Sequence, residues 1–369
     1  MNKRTFALLT AVITFTVGVV LARLSLPNLF KTPPPVVMKE IQLSNYRLSG
    51  PYKFEDLSIF LIHTEDAPGS RVYTSLEDAM DRKIVIVHET SNVNELAIEN
   101  LSATEDVFVQ AGEIVKGGQQ DRVLTVDLVL PANSGVVPIS AFCVEHGRWQ
   151  PRGGESADQF SLTEMAVPYS LLYAVKEVAT QVGVWDEVKH SQDRMVAGVA
   201  ADSPVRSELS PTSLPLALES EAVQESAAPY INNISSAVDR WNDVVGFAFA
   251  INDEIKGADV YSSNAMFKRF WPRLLKAAAV EAVATPEMKR APNALLIEDV
   301  GTFLVNSELG TETITTVGSH LDGLAALNKV STRTLSVRRE TEDSLFFESR
   351  DTTYDDAWIH RSYLRRIKE

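Results

Sequence analysis

Apolar residues change period twice along this chain. Up to about residue 149 they come in short runs separated by turn residues, and Leu57 to His63, Lys83 to His88 and Glu95 to Leu101 read as strands. Pro68-Gly69-Ser70 marks a turn, and Ser75 to Asp81 predicts a short helix with Ser75 as its N-cap. Two longer runs, Val123 to Leu130 and Val136 to Val144, flank Pro131-Ala-Asn-Ser-Gly135 and predict paired strands. Beyond Arg152 the period lengthens. Leu171, Leu172, Val175, Val178, Ala179 and Val182 share one face of a helix, and Val184 begins a second that reaches about Met195. A further helix is expected from Pro229, as a first helical residue, to Trp241. Val244 to Ile251 and Ile255 to Tyr261 predict a hairpin around Asn252-Asp253-Glu254. Phe267, Phe270, Trp271, Leu274, Leu275, Ala278 and Ala282 mark the clearest amphipathic helix, capped from Ser262 to Asn264 and kinked or restarted at Pro272. Alternation returns at Ala294 to Ile297, Glu312 to Val317, Thr334 to Val337, Leu345 to Glu348 and Trp358 to His360. Strands early, helices in the middle and strands late predict an α+β fold with a mixed or antiparallel sheet.

The N-terminus follows another rule. Lys3 and Arg4 precede Phe6 to Ala22, seventeen residues without charge that end at Arg23. The run lacks an Ala-x-Ala site, so residues 1–23 read as an uncleaved signal anchor, with a cleaved signal peptide as the alternative. Residues 24–38 contain Lys31-Thr-Pro-Pro-Pro35, a stiff spacer. The charge pattern predicts a single-pass inner-membrane protein with its body, residues 39–369, extracytoplasmic as one α+β domain; cleavage would make it secreted or periplasmic. Four of the chain's 35 bases and none of its 49 acids precede residue 39, leaving 31 bases against 49 acids, a net −18. Such a body repels nucleic acid, so an anionic ligand needs a local basic pocket. The one cysteine, Cys143, leaves no intrachain disulfide and reads as a small core residue. Residues 203–228, rich in Ser, Pro and Glu, read as a flexible surface insertion.

Candidate chemistry concentrates between Val109 and Trp149. Returning strands would bring Gly112-Glu-Ile-Val-Lys-Gly-Gly-Gln-Gln-Asp-Arg122 and Cys143-Val-Glu-His-Gly-Arg-Trp149 to the same end. Lys116-Gly117-Gly118 resembles a backbone nest for an oxyanion, without the spacing of a nucleotide P-loop. Arg122 and Arg148 suit bidentate carboxylate or phosphate contacts, while Asp121-Arg122 and Glu145 with Arg148 read more readily as structural ion pairs. Glu113 and Glu145, if face to face, could work as acid and base or share a divalent cation. Cys143, Glu145 and His146 do not have a zinc spacing, no metal site is expected, and no cofactor is indicated. His63 and His88 end strands and read as rim residues.

These tracts, with Val184-Trp-Asp-Glu-Val188, Val245-Gly246, Asp259-Val-Tyr261, Trp271 and Leu274-Leu275, resemble the ARG and Rhodanese-Phosphatase-superfamily-associated protein domain family over about 85–283, with His360 a further point. The resemblance implies association with ADP-ribosylglycohydrolase and phosphatase-like proteins, and hence nucleotide-derived or phosphorylated ligands. The anchor and the Ser/Pro/Glu-rich stretch depart from the family pattern.

Three functions are therefore expected. The first is a membrane-anchored extracytoplasmic protein binding a small anionic ligand, possibly phosphate- or ADP-ribose-containing, through Lys116, Gly117, Gly118, Asp121, Arg122, His146 and Arg148. The second is a hydrolase of such a ligand, with Glu113 and Glu145 catalytic. The third is a non-catalytic envelope scaffold.

Overall fold

Leu57–His63 is buried along its whole length, so it has no polar face to alternate with. The reason is a sheet covered on both sides. In a computed structural model, which describes residues 39–42, 45–90, 92–156, 159–285, 294–317 and 333–367, this strand lies inside a nine-stranded antiparallel sheet. The spatial order is Lys39–Gln42, Arg47–Phe54, Leu57–His63, Val244–Ile251, Glu254–Tyr261, Ala357–Arg365, Ser344–Asp351, Thr334–Glu340 and Thr311–Thr316. Leu61 and Phe247 point into one core with Phe267, Trp271 and Leu275 of the helix Asn264–Val283. Ile62, Val245 and Ala248 point to the other, under Val300, Phe303 and Leu304 of the helix Ile297–Glu308. Each of the buried Val, Leu, Ile and Phe side chains among these contributes about 1.5–3 kcal/mol by leaving water.

Two smaller sheets complete the β structure of the described residues. One has six antiparallel strands in the order Phe160–Leu162, Ile114–Gly117, Arg122–Leu124, Gly135–Cys143, Glu95–Asn100 and Val85–Glu89. The other joins Leu128–Leu130, Val107–Val109 and Thr74–Ser75. The α+β expectation holds, and so do the Ser75 cap, whose hydroxyl accepts from the Asp78 amide at 3.2 Å, and the hairpin at Asn252-Asp253, both with positive φ.

Four expectations need correction. The run Val123 to Leu130 is not one strand: it breaks at Thr125–Asp127, and Leu128–Leu130 leaves for the three-stranded sheet. The break follows from Asp127, which turns inward to bond the Ala111 amide and His360. The face drawn from Leu171 to Val182 is also broken, because Ala179 adopts φ 49° after a π-helical turn, Ala174–Val178, and a new helix, Gln181–Gly198, begins. Residues 203–228 are no mere surface insertion. Ser213 and Ser220 are N-caps of Leu214–Leu218 and Glu221–Ile234, so the serines that suggested a loop start helices, and Pro229 lies inside the second. Finally, Ile297 opens a helix rather than closing a strand.

The segments read as anchor and spacer lie outside the described residues. Among the described residues no helix is long and apolar enough to cross a membrane.

Candidate functional site

Although the predicted hairpin splits, its base survives. Cys143 pairs with Arg122, Phe142 with Val123, and the Val144 amide donates to the Asp121 carbonyl at 3.0 Å. Glu145 is thereby placed beside Asp121, whose amide reaches Glu145 Oε2 at 3.5 Å. Arg148 Nε donates to the same oxygen at 2.7 Å, while its Nη2 stands 3.6 Å from Asp121 Oδ1. The two polar tracts do meet.

Sequence reasoning missed what completes the cluster. Arg152 grips Asp121 with both Nη atoms, at 2.7 and 2.8 Å, and also donates to Ser213 Oγ at 2.9 Å. Glu155 receives Arg152 Nε at 3.1 Å. Ser210 Oγ donates to Glu145 Oε1. Burial pushes the Asp121 carboxyl up against the pull of Arg152. The only signal in the sequence was Arg152 and Glu155 three apart around Gly153-Gly154; Ser210 and Ser213 sat in the stretch read as an insertion.

The glycine turn is a nest already filled by the protein. Gly117 and Gly118 have φ of 123° and 56°, and a Cβ on Gly118 would lie 2.3 Å from the Phe160 ring and 2.6 Å from Glu89 Oε1. The Gly117 amide bonds Asp121 Oδ1 at 2.9 Å, the Gly118 amide bonds the Gln159 carbonyl at 3.2 Å, and the Gln119 amide bonds Glu89 Oε1 at 2.8 Å. An outside oxyanion finds no free amide on Gly117 or Gly118, because carboxylates and a carbonyl of the chain have taken their place. Arg148 is likewise spent, with Nη1 on the Gly118 and Gln150 carbonyls at 3.2 and 2.6 Å.

Arg122 differs. It is 0 % exposed, yet its Nε and Nη2 have no hydrogen-bond acceptor. Glu89 Oε2 stands 3.8 Å from Nη2, beyond hydrogen-bond reach, and Gln120 Oε1 takes only Nη1, at 3.4 Å. The guanidinium lies behind the indole of Trp149, Cζ 5.8 Å from the ring centroid. Trp149 in turn lines a cleft of about 680 Å³ between residues 146–153 and 209–212. His146 is exposed on that cleft and stands edge-on to Trp185, with centroids 4.6 Å apart. Trp185 thus supports a cleft residue.

Glu113 does not join this cluster. Its Oε2 accepts the Gln110 amide at 2.9 Å, its Oε1 has no donor, and Arg273 Nη2 is 4.0 Å away. Paired with different partners, Glu113 and Glu145 do not form the facing dyad anticipated from sequence. Burial lifts the Glu113 carboxyl to about 7. A carboxyl raised above its unfolded value holds its proton more tightly in the fold, so stability declines as pH rises from about 4.5 through 7. Glu113→Gln should remove that slope and gain on the order of 2–3 kcal/mol at pH 8 over the wild type, read by urea unfolding at pH 5 and 8. An unchanged slope would refute this. Lys116 bonds Glu219 at 2.6 Å with both side chains partly exposed. Lys116→Ala should cost less than about 1 kcal/mol, and a larger loss of unfolding free energy would contradict the assignment.

A second polar cluster, also missed, lies in the interior. His360 Nδ1 contacts Asp127 Oδ2 at 2.8 Å and Nε2 contacts Asp259 Oδ1 at 3.0 Å, while the Tyr169 hydroxyl donates to Asp259 Oδ2. Tyr261 stacks on the imidazole with centroids 4.7 Å apart. Burial alone would lower the His360 pKa, but the two carboxylates outweigh it and raise it to about 9. Burial likewise opposes ionisation of Asp127, yet the charge of His360 holds it at about 2. His360 is therefore an imidazolium between two carboxylates, tying the large sheet to the loop after Leu124.

His63 is not the rim residue expected. It is buried, with Nε2 2.7 Å from Ser49 Oγ and Nδ1 3.0 Å from Asp243 Oδ1. The order Ser-His-Asp matches a hydrolytic triad, but the serine is fully buried and the aspartate is the more exposed member. A nucleophile needs the reverse. The trio fastens strand Arg47–Phe54 to its neighbour and to the start of Val244–Ile251.

With the geometry established, comparison with known proteins adds one finding. The model of the ARG and Rhodanese-Phosphatase-superfamily-associated Protein domain matches residues 45–364, and the chain belongs to that family. The match runs well beyond the 85–283 legible by eye and takes in His360 and both clusters. No curated protein and no solved structure matches the chain.

Proposed function

We propose that this member of the family is a ligand-binding protein whose cleft beside the Asp121–Glu145 cluster takes a small anionic ligand, held out from the inner membrane by the segment 6–22 and the Pro-rich spacer. One observation carries the reading: of the three arginines in the cluster, Arg122 alone keeps two donors without acceptors, and it does so fully buried behind a cleft wall. A buried cation without full pairing costs several kcal/mol, and an incoming oxyanion would recover that cost. The family supports phosphorylated ligands only through its name. The uncharged run from Phe6 to Ala22 supports the tether.

Thermal unfolding in inorganic phosphate tests the cleft. Binding to the folded state raises the melting temperature with concentration, by an amount set by RT ln(1 + [L]/Kd). The wild type should show this rise and Arg122→Gln should not. An equal rise in both proteins, or none in the wild type, would sink the proposal.

A further inference from the structure

The nine-stranded sheet has two edges, and they are built differently. Lys39–Gln42 is four residues long and has a lysine and a glutamate in its sequence, the usual guards of an open edge. Thr311–Thr316, at the far edge, is longer and less guarded. It reads Thr-Glu-Thr-Ile-Thr-Thr, rich in side chains that favour strands and without lysine or proline. Its register against Thr334–Glu340 is continuous from Thr311↔Glu340 to Thr316↔Leu335, so no bulge twists the edge away. All of its residues are exposed, on both faces, and among the described residues no strand pairs with its outer side. Its one charge, Glu312, is taken by Arg339 at 2.6 Å within the sheet. The edge therefore offers open backbone N–H and C=O groups around Ile314, which is 54 % exposed.

The strand is also complementary to a reversed copy of itself. In an antiparallel pair, opposed residues point their backbone groups either both at each other or both away. Two copies of one strand can meet this only with the two-fold axis at a residue, not between two. With the axis at Ile314, that side chain lies opposite its own copy, Thr313 opposite Thr315, and Glu312 opposite Thr316. This register closes apolar on apolar, makes two threonine pairs and opposes no like charges. With the axis at Thr313, Glu312 would instead lie opposite Ile314 twice. Val337, the neighbour of Ile314 within the sheet, is buried, so the new pair extends an existing apolar row.

We infer that Thr311–Thr316 is an interaction edge whose occupant is the same strand of a second copy of this chain, antiparallel about a two-fold axis at Ile314. Such pairing closes on itself and leaves that edge nothing to offer a third copy. Six residues are a small contact beside a stable interface of about 1,200 Å² or more, so the dimer is weak and concentration-dependent.

Cysteine placement reads the register, since the one native cysteine, Cys143, is buried. Opposed Cα atoms in an antiparallel pair stand about 4.5–5.5 Å apart, within disulfide reach. The full chain carrying Ile314→Cys, oxidised with diamide in non-ionic detergent, should give a linked dimer on a non-reducing gel. Thr313→Cys alone should not, but mixed with Thr315→Cys it should. In sedimentation velocity the wild type should pass from monomer to dimer as concentration rises. Ile314→Lys sets like charges opposite each other at an already exposed position, and should stay monomeric with an unchanged melting temperature. A wild type monomeric at every concentration would leave the edge to another segment of this chain or to a foreign strand, and would overturn the pairing. So would a dimer that survives Ile314→Lys, or one that links equally well through Thr313→Cys alone.

Discussion

Replacing His360 with alanine is expected to cost about 3–5 kcal/mol at pH 6, because it strands two buried carboxylates that now share one imidazolium. The loss should be pH-dependent with a defined sign. His360 has a folded pKa of about 9 against about 6.5 for a free imidazole. Its contribution is therefore complete below pH 6.5 and fades as pH rises through 9. Urea unfolding at pH 6, 7.5 and 9 should show the gap between wild type and His360→Ala narrowing steadily. A gap constant with pH would mean that the ring acts by packing against Tyr261 and Phe108 rather than by charge. Asp127 supplies the acid limb, since a carboxyl held at about 2 loses its contribution as pH falls below about 3.8 towards 2.

Arg152→Gln should be comparably severe, about 3–5 kcal/mol, for a related reason. Both oxygens of the fully buried Asp121 are bonded by Arg152, and Ser213 shares the same contact. Glutamine can replace one of those bonds but neither the charge nor the fork. Because Ser213 caps Leu214–Leu218, the damage should spread to the adjoining cleft wall at residues 209–212. Amide exchange should accelerate there and at the Gly117 amide, which depends on Asp121, before it changes in the large sheet. Loss confined to Glu155 and its neighbours would contradict this network.

The sequence carried the fold class because the large sheet and its longest helix are written in local periodicity: Leu57–His63, Val244–Ile251 and Asn264–Val283 each bury a pattern visible in one window. The helices begun by Ser213 and Ser220 were lost, since both serines sit in a stretch with the composition of a loop while having the chemistry of a cap. The site was half legible. Proximity of Asp121 to Glu145 followed from chain return at Cys143–Arg122, which survived even though Leu128–Leu130 joined another sheet. Whether a donor is free cannot be read from spacing. The Gly117-Gly118 turn has the residues of an anion nest, but Asp121 occupies the Gly117 amide and the Gln159 carbonyl the Gly118 amide, while Glu89 holds the next one, at Gln119. The interior cluster was out of reach for another reason: Asp127, Tyr169, Asp259 and His360 come from four distant stretches, joined only by tertiary packing.

We propose a division of labour among three arginines, two holding the structure and one kept for a ligand. Unfolding free energies of Arg122→Gln and Arg152→Gln, measured side by side without any anion, test it most directly. Arg152→Gln should lower the melting temperature by about 4–7 °C. Arg122→Gln should lower it by less than half as much, since its Nε and Nη2 make no hydrogen bond and the nearest carboxylate oxygen, Glu89 Oε2, stands 3.8 Å from Nη2. A fall for Arg122→Gln as large as that for Arg152→Gln would show that all three arginines are structural and that the cleft holds no reserved site.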